Sequence, residues 1–419
     1  MRTTLQSEGG FENESLHVRM SLDMYPTIYI KQERVDSVRY RHPWIFSGAI
    51  AGKDSSVTHG GLVRVIGEDE TFLGVGTYST SSSIAIRVFD TRDTMIDVDW
   101  FVQRLTEARR RRTRMGLGEG TDTTGYRLCF GEADGVPGLV VDMYGDVAVF
   151  QLSTAGLEGL RTQIVSAIDQ VLSPREIIER SDVAVRKDDG LEEIVAVRKG
   201  EDPGVVEFLE RGRRYLVNPL EGQKTGFFLD QRDARDTVQR LAQGKECLNL
   251  FSYTGAFSVA AMLGGARSCH SVDLSSSALA LCEQHRLLHG FSQEAFTTQE
   301  ADIFQWLGER PEPSYDLVVL DPPALIKSSK DAQPGKKAYH FLNRAAMRLV
   351  RDGGVFVSSS CSQHLDEEDL LFILRRASVQ NGLDLRVLAV HRQAVDHPLS
   401  VYFKEAEYLK TVICEVHSG

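Results

Sequence analysis

Two short segments of this chain carry the residue types that could do covalent chemistry together. The apolar run Leu317–Leu320 ends in Asp321, which two prolines follow, and a second β-rich run leads to Cys361. Consecutive prolines stiffen a turn, so this one can hold a carboxylate against a flat ring. An acid and a thiol at neighbouring strand ends predict covalent chemistry on a planar ring such as a pyrimidine, and His364 is close enough in sequence to lower the pKa of the thiol. The alternatives are a strand terminator for Asp321 and an inert buried thiol for Cys361.

The elements that must position these residues follow a regular alternation. From residue 219 onward, short apolar strands alternate with helices, which predicts an α/β fold with a mostly parallel, doubly wound sheet. In such sheets the ligand binds beyond the carboxyl ends of the strands, so the residues directly after each strand are the candidates for a site. The predicted strands of this region include 247–251, 270–273, 316–320, 355–359, 385–390 and 408–416.

The first three strand ends predict a nucleoside site. The loop Ser252–Phe257 lacks the three-glycine fingerprint of a dinucleotide cradle, which favours a nucleoside cofactor without a pyrophosphate. Asp273 follows the second strand and can accept hydrogen bonds from both ribose hydroxyls. Asp302 follows the third strand and can accept one from an adenine amine. Either acid could instead cap the helix that follows it.

Composition limits the class of protein. A chain of 419 residues with 42% hydrophobic and 26% charged residues predicts two or three globular domains. It contains no apolar run of 18 residues, and its first 25 residues do not resemble a secretory signal, so we expect a cytoplasmic protein without membrane contact. The six cysteines show no metal-ligand spacing, so we expect reduced thiols and no metal site.

The charge pattern leaves two interpretations open. A net charge of −11 argues against a generally basic, nucleic-acid-binding surface. The run Arg109, Arg110, Arg111 and Arg112 is nevertheless dense enough to contact RNA phosphates, or it is a solvated helix face.

Four segments follow from these patterns. Residues 1–25 are expected to be a disordered extension, and 26–97 a small β barrel or sandwich. Residues 98–218 are expected to form a small α+β domain, and 219–419 the α/β domain.

The chain resembles bacterial large-subunit ribosomal RNA cytosine-C5 methyltransferases, in which a PUA domain precedes a class I, Rossmann-like methyltransferase domain. The resemblance extends over residues 28 to 418, and it implies that 26–97 is a PUA-like RNA-binding domain and 219–419 a methyltransferase domain. The segments that carry it are Arg41–Phe46, Glu132–Leu139, Glu179–Asp182, Gly222–Arg232, Leu248–Gly255, Leu320–Pro323 and Ser360–Ser362.

The resemblance implies S-adenosylmethionine as cofactor and 5-methylcytidine in large-subunit ribosomal RNA as product. It also implies that Cys361 is the nucleophile and Asp321 the catalytic acid. One departure concerns Ala324, because many cytosine-C5 RNA methyltransferases carry a second cysteine at this position, which assists product release. The cofactor-binding residues that the resemblance implies are Gln223, Thr225, Asp230, Phe251, Tyr253, Gly255, Asp273, Leu274, Asp302, Ile303, Asp321 and Pro323.

Three other functions compete with this interpretation. The first is methylation of another base or of a nitrogen atom, which needs no cysteine. The second is a catalytically inactive RNA-binding relative. The third, NAD-linked catalysis, is weakened by the missing glycine fingerprint. The sequence leaves open the target nucleotide, whether naked RNA or an assembling subunit is the substrate, the base that removes the C5 proton, and the oligomeric state, a homodimer included.

Overall fold

The structure, a computed structural model, describes residues 25–308 and 314–419. Contacts group these residues into two compact units. The N-terminal unit contains the described residues up to 113, then 128–202 and 400–404. The C-terminal unit contains 114–127, 203–399 and 405–419. All but the last residue of the predicted extension, 1–25, lies outside the described residues.

The N-terminal unit begins with a β-rich region. Its elements are β1 (Thr27–Ile30), α1 (Val35–Arg39), β2 (Trp44–Phe46), β3 (Ile50–Lys53), β4 (Leu62–Gly67), β5 (Phe72–Tyr78) and β6 (Ile84–Asp90). Within the described residues these six strands pair in the order β2-β6-β5-β4-β1-β3. Buried and half-buried positions alternate in β4, where Val63 and Val65 point inward, and Val35 and Val38 of α1 pack on the same core. A six-stranded sheet is therefore present in the region for which a small β domain is predicted.

A second sheet follows in the chain. Its elements are α2 (Val98–Arg114), β7 (Gly125–Phe130), β8 (Leu139–Tyr144), β9 (Val147–Leu152), α3 (Ala155–Glu158), α4 (Arg161–Leu172), β10 (Glu176–Ser181) and β11 (Ile194–Lys199). In the described part of the chain its strand order is β11-β10-β9-β8-β7. Every residue of β9 is buried, as expected for a central strand that is covered on both faces.

The C-terminal unit contains an antiparallel hairpin and a large mixed sheet. The hairpin consists of β12 (Val206–Glu210) and β13 (Arg213–Val217). The strands of the sheet are β14 (Glu246–Leu250), β15 (Ser268–Asp273), β16 (Phe296–Glu300), β17 (Tyr315–Leu320), β18 (Val350–Ser360), β19 (Leu383–His391) and β20 (Lys410–Ser418). Among the described residues their order is β16-β15-β14-β17-β18-β20-β19. The first five strands are parallel and β20 is antiparallel to both of its neighbours.

Helices cover both faces of this sheet. They are α5 (Arg232–Leu241), α6 (Ala256–Leu263), α7 (Ser276–His289), α8 (Ile303–Gly308), α9 (Ala332–Met347) and α10 (Glu367–Asn381). Alternate residues of one strand belong to different cores: Val318 packs with residues of α9 and α10, whereas Val319 packs with residues of α5 and α6. The α/β, Rossmann-like fold predicted for this region is confirmed.

Local sequence signals explain where several of these helices begin and end. Ser275 accepts a hydrogen bond from Ala278 N–H and caps α7, and Asp366 caps α10 in the same way. Gly255, directly before α6, has φ +79°, and a Cβ atom there would lie 2.3 Å from Sγ of Cys282. Only glycine fits this position without strain.

In the described part of the chain, no helix has the length and apolarity needed to cross a membrane.

Candidate active site

A cavity of about 470 Å³ lies at the carboxyl ends of the parallel strands in the C-terminal unit. Its walls come from the turns after β14, β15, β17 and β18 and from the segment before α5. Strand β14 has β15 on one side and β17 on the other, so the cavity lies where the strand order reverses, the usual ligand position in such sheets. The predicted site residues that line it are Gln223, Asp230, Phe251, Tyr253, Asp273, Leu274, Asp321, Pro323 and Cys361.

Asp321 and Cys361 reach this cavity from adjacent strands. Strands β17 and β18 run parallel, with Leu320 opposite Ser358. Both chains therefore leave the sheet at the same edge, and both side chains line the cavity. The structure brings together the acid and the thiol that the sequence singles out.

Asp321 is held by a hydrogen-bond chain and has an unusual protonation equilibrium. Gln231 donates from Nε2 to Oδ1 of Asp321 at 3.0 Å, and Thr411 donates from Oγ1 to Oε1 of Gln231 at 3.2 Å. Burial, reinforced by the charge of Asp230, raises the pKa of Asp321 to about 7. Near neutral pH this carboxyl group can therefore donate a hydrogen bond as well as accept one.

Cys361 is a neutral thiol near pH 7 when the cavity holds no ligand. Burial raises the pKa of Cys361 to about 11; Lys224 opposes this rise, and the charges of Asp321 and Asp230 add to it. Among these groups, the cation that lowers the pKa of the thiol is Lys224. His364, which the sequence suggested for this role, is exposed and is not among them. The thiol therefore needs a further favourable charge before it becomes a good nucleophile.

The backbone on both sides of Cys361 is fixed by Tyr339 of α9. Ser360 donates from Oγ to the Tyr339 hydroxyl at 2.9 Å, and that hydroxyl is 3.0 Å from Oγ of Ser362. All three of these polar side chains are buried. Since a buried, satisfied network is rigid, it holds the thiol in one position at the cavity wall.

Asp273 is positioned to receive a sugar. Its Oδ2 accepts the N–H of Tyr253 at 2.7 Å and its Oδ1 accepts the N–H of Ser275 at 2.8 Å. Each carboxylate oxygen keeps a second lone pair, so both can still accept a ribose hydroxyl. Phe251 and Tyr253 have positive φ angles of 58° and 48°; backbone strain of this kind is typical of ligand-binding loops.

Asp230 has one carboxylate oxygen, Oδ1, that could accept a hydrogen bond from a ligand. It is 5% exposed and lines the cavity, and its Oδ2 accepts the hydroxyl of Tyr408. Within the described residues, Oδ1 of Asp230 has no hydrogen-bond partner, and neither have the buried hydroxyls of Ser252 and Thr254. Burial raises the pKa of Asp230, but opposing effects, the charges of Lys224 and His397 first among them, lower it by more than burial raises it. The net shift of the pKa is downward, so the carboxyl group is ionised. These unsatisfied polar atoms fit the ammonium and carboxylate groups of a methionine moiety.

The hydroxyl of Tyr253 joins two walls of the cavity. It accepts the N–H of Gln223 at 2.8 Å and donates to the carbonyl of Gly226 at 3.0 Å. Its ring meets that of Phe228 edge to face at 5.3 Å. Tyr253 thereby ties the turn before α5 to the loop that holds Asp273.

Four predicted cofactor residues do not line this cavity. Thr225 is fully buried, and Gly255 serves the turn before α6. Asp302 uses Oδ1 to accept the N–H of Gln305, which is the helix-capping alternative for this acid. Ile303 is buried in the core between the sheet and α9. Of the three acids expected to contact the cofactor nucleoside or the base, Asp273 and Asp321 line the cavity and Asp302 does not.

The arginine run of α2 is only partly available to RNA. Arg112 is 1% exposed and forms a buried ion pair with Asp134, so the expectation that it contacts phosphate is wrong. Arg111 also pairs with Asp134, and Arg109 donates to the carbonyl of Val171. Arg110 is exposed. Arg112 is buried because four consecutive residues of a helix point in different directions around its axis, so that one of them faces the core.

Several cavity residues were missed at the sequence level. Phe227, Phe228 and Gln231 lie within Gly222–Arg232, one of the segments that carry the family resemblance, and could have been predicted from it. Leu409 carries no local signal, because it reaches the cavity through the antiparallel strand β20. The residues missed include Phe227, Phe228, Gln231, Arg235, Ser252, Thr254, Phe257, Ser275 and Leu409. Among the described residues there is no group of three or more His, Cys, Asp or Glu side chains that could hold a metal ion.

Comparison with known proteins agrees with this geometry. Residues 28–91 match a family of PUA-like domains, and residues 185–375 match a family of S-adenosylmethionine-dependent methyltransferases. Ribosomal RNA large subunit methyltransferase I of Aeromonas hydrophila is 38% identical over 396 residues, covering 93% of this chain and 99% of that protein. The protein of the same name from Klebsiella pneumoniae strain 342 is 36% identical over 402 residues, covering 95% and 100%.

Among solved structures, the fold matches that of SMU.776, whose crystal structure was solved as a complex with SAH. The TM-score is 0.80 at 24% identity, and the match covers 93% of this chain and 99% of that one. This likeness supports the fold. Identity of 36–38% over nearly the full length of the two relatives supports more: the chain belongs to the family of S-adenosylmethionine-dependent methyltransferases that includes ribosomal RNA large subunit methyltransferase I.

Proposed function

We propose that this protein methylates C5 of a cytosine in large-subunit ribosomal RNA through a covalent adduct between Cys361 and C6 of the base. The observation that carries the proposal is the placement of Cys361 and Asp321 on the wall of one cavity, together with Asp230 and Asp273. The substrate class comes from the relatives, which are named for the large ribosomal subunit RNA.

S-adenosylmethionine supplies an electrophilic methyl group. On the side of the protein, Oδ1 of Asp230 accepts the methionine ammonium, because within the described residues it is a buried carboxylate oxygen of the cavity without a hydrogen-bond partner. Asp273 accepts the ribose hydroxyls with its remaining lone pairs. Gln223 and Phe228, held by the Tyr253 hydroxyl and ring, cover the bound molecule from the side of the turn before α5.

Cys361 and Asp321 activate the base. C5 of cytosine is a poor nucleophile, so the ring needs an electron pair pushed toward C5. The Cys361 thiolate, formed by loss of the S–H proton, makes a bond to C6 and moves the C5=C6 pair onto C5. Protonated Asp321 donates to N3 and stabilises the charge that develops on the ring. After C5 is methylated, a base takes the C5 proton, the C6–S bond breaks, and the C5=C6 double bond and the thiolate are restored.

The target cytosine must leave its stack to reach a cavity of this kind. Unstacking is least costly in a loop or a single strand, where RNA is usually recognised. The PUA-like region, residues 28–91, and exposed Arg110 are the parts that we assign to RNA positioning. They would hold the RNA while Cys361 and Asp321 act on one base.

The proposal is tested by mapping 5-methylcytidine in ribosomal RNA from cells that lack this protein. We expect one 5-methylcytidine to disappear from the large-subunit RNA and to return when the wild-type gene is restored. Restoration with Cys361→Ala should not return it, whereas Cys129→Ala, a control thiol in the N-terminal unit, should. An unchanged modification map in the deletion strain would reject the substrate.

A second experiment tests the covalent step alone. RNA containing 5-fluorocytidine carries no C5 proton, so the adduct between Cys361 and C6 cannot be resolved and accumulates. We expect a protein–RNA band that resists denaturation with wild-type protein and that is missing with Cys361→Ala. Methyl transfer that persists in Cys361→Ala would favour the nitrogen-methylating alternative.

A further inference from the structure

Lys410 is a buried cation next to the segment that carries the nucleophile. It is 3% exposed, and in the pairing of β18 with β20 it lies directly opposite Ser360. Its Nζ donates to the carbonyl of Ser362 at 2.7 Å and to the carbonyl of Tyr408 at 2.8 Å. The first of these carbonyls belongs to the residue that follows Cys361. The ammonium group therefore fixes the main chain beside the thiol.

The charge of Lys410 is not neutralised by a close carboxylate. Within residues 25–308 and 314–419, no carboxylate oxygen lies within 4.0 Å of its Nζ. A buried ammonium without an ion-pair partner is unfavourable for folding, and the two main-chain carbonyls compensate only part of its lost hydration. An apolar side chain of similar length would be better tolerated if packing were the only need. The arrangement suggests a task for the charge itself.

The thiol of Cys361 needs such a charge. Burial lowers the pKa of Lys410, whereas the charges of Cys361 and, more weakly, of Glu407, Asp366 and Asp369 raise it. The ammonium group therefore interacts electrostatically with the thiol as well as with these more distant carboxylates. Asp321 and Asp230 both oppose formation of a thiolate. The titratable groups that face Cys361 from the surrounding elements are Lys224, Asp230, Asp321, Tyr339, Tyr408 and Lys410. Two of these are cations, and Lys410 is the buried one, since Lys224 is exposed.

We propose that Lys410 is a positioning residue for the nucleophile, whose ammonium group holds the Ser362–Gln363 peptide directly after Cys361 and stabilises the Cys361 thiolate. The inference rests on the proposed covalent role of Cys361. It concerns a property of the free protein, however, so it can be tested without RNA and without methyl transfer.

The test measures how fast Cys361 is alkylated by iodoacetamide as a function of pH. The thiolate attacks the reagent, a C–S bond forms, and iodide leaves, so the rate reports the thiolate fraction. Four full-length variants are compared with the wild type: Lys410→Met, Lys410→Gln, Lys410→Arg and, as a control, Lys337→Met on the exposed face of α9. Modification of Cys361 is followed by peptide mass spectrometry at pH 7 to 10.

Loss of the charge should slow the reaction about tenfold at pH 7 to 8, because a nearby opposite charge shifts a pKa by one unit or more. The difference should shrink toward pH 10, since burial lowers the pKa of Lys410 and the wild type then begins to lose the same charge. We expect this slowing in Lys410→Met and in Lys410→Gln, which keeps a donor for the carbonyl of Ser362. Lys410→Arg and Lys337→Met should follow the wild-type profile. A purely structural role predicts that Lys410→Gln, once folded, reacts like the wild type, and that result would overturn the inference.

Folding is checked in each variant by near-ultraviolet circular dichroism. If Lys410→Met does not fold, the comparison of Lys410→Gln with Lys410→Arg decides the question, because the pair differs in charge. A folded Lys410→Arg that reacts tenfold more slowly than the wild type would also reject the inference. Failure of the proposed function would look different: Cys361→Ala would still methylate RNA, whatever the alkylation profiles show.

Discussion

The side-chain amide of Gln231 donates to Oδ1 of Asp321 at 3.0 Å, although the two residues are 90 positions apart in the chain. Gln231 is itself buried and accepts from Thr411. Because Oδ1 already accepts this hydrogen bond, we assign to Oδ2 the proton that Asp321 would carry toward a substrate base. Gln231 thus selects which oxygen of Asp321 is available for the reaction.

Replacing Gln231 by Leu should therefore impair the chemical step more than cofactor binding. Without the amide, the carboxyl group of Asp321 can rotate, and a misplaced acid loses much of the 10²–10⁴-fold effect typical of general acid catalysis. We expect kcat to fall about 10- to 100-fold, while the Kd for S-adenosylhomocysteine, measured by calorimetry, changes little. Gln305→Leu, at an exposed position of α8, is the matched control. Equal losses in kcat and in cofactor affinity would show that Gln231 supports the whole cavity.

Asp321 should also make the stability of the protein depend on pH. Burial and the charge of Asp230 raise its folded-state pKa to about 7, above the ordinary value of 3.8 for an aspartate. The folded state therefore binds the proton more tightly, and its stability decreases as the pH rises from about 4 to about 7. Asp321→Asn removes this loss, so it should be more stable than the wild type at pH 8 by up to about 4 kcal/mol, with the difference disappearing near pH 4. Urea unfolding at the two pH values measures it; an equal advantage at both would point to a cause other than titration.

The same protonation equilibrium bears on catalysis. If Asp321 acts as the acid at N3, it is competent below pH 7, whereas the Cys361 thiolate becomes more abundant up to pH 11. The pH profile of kcat/KM should then be bell-shaped, because it reports both groups in the free enzyme. In Asp321→Asn the falling limb on the alkaline side should disappear. A falling limb that persists in that variant would assign it to another group.

Much of the fold and part of the site could be predicted from sequence. Strand and helix signals after residue 219 indicate a parallel sheet, and a parallel sheet places Asp273, Asp321 and Cys361 at one edge. These side chains do line one cavity. Their positions follow from the general rule that strand ends meet, so no knowledge of individual contacts was needed.

The rest depends on contacts between distant segments. Leu409 reaches the cavity, and Lys410 reaches the carbonyl of Ser362, because β20 enters the sheet antiparallel beside β18. No local sequence pattern predicts that insertion. Arg112 looks like part of a solvent-facing basic run until its buried partner Asp134 is known. For Asp302, the sequence allows both a ligand contact and a helix cap; the structure shows the cap contact with Gln305, and the contact with adenine stays a prediction.

Asp230 should determine affinity for the cofactor. Its unpartnered Oδ1 is the proposed acceptor of the methionine ammonium, and a hydrogen bond between charged groups contributes about 1.5–3 kcal/mol. Asp230→Asn should weaken S-adenosylhomocysteine binding about 10- to 100-fold by calorimetry. Tyr408→Phe removes the partner of the other oxygen and should have a smaller effect. An unchanged Kd in Asp230→Asn would mean that the ammonium binds elsewhere.

Tyr253→Phe separates the contribution of the aromatic ring from that of the hydroxyl group, which joins the two cavity walls. The variant keeps the contact with Phe228 but loses the hydrogen bonds with Gln223 and Gly226. Each neutral hydrogen bond contributes about 1 kcal/mol, so the KM for S-adenosylmethionine should rise about 5- to 30-fold with kcat nearly unchanged. Stopped-flow measurement should show the change as faster cofactor release. A fall in kcat at constant KM would instead place the hydroxyl in the chemical step.

Substitutions in the arginine run should separate stability from RNA binding. Arg112 forms a buried pair with Asp134, and breaking such a pair by removing one partner costs about 3–5 kcal/mol. Arg112→Ala should therefore lower the free energy of unfolding by that amount, measured in urea.

Arg110 is exposed, so Arg110→Ala should leave stability within about 0.5 kcal/mol of the wild type. If Arg110 contacts a phosphate, the same variant weakens RNA binding and reduces the slope of log K against log salt by about one. A variant with unchanged affinity and slope would identify Arg110 as part of a solvated helix face.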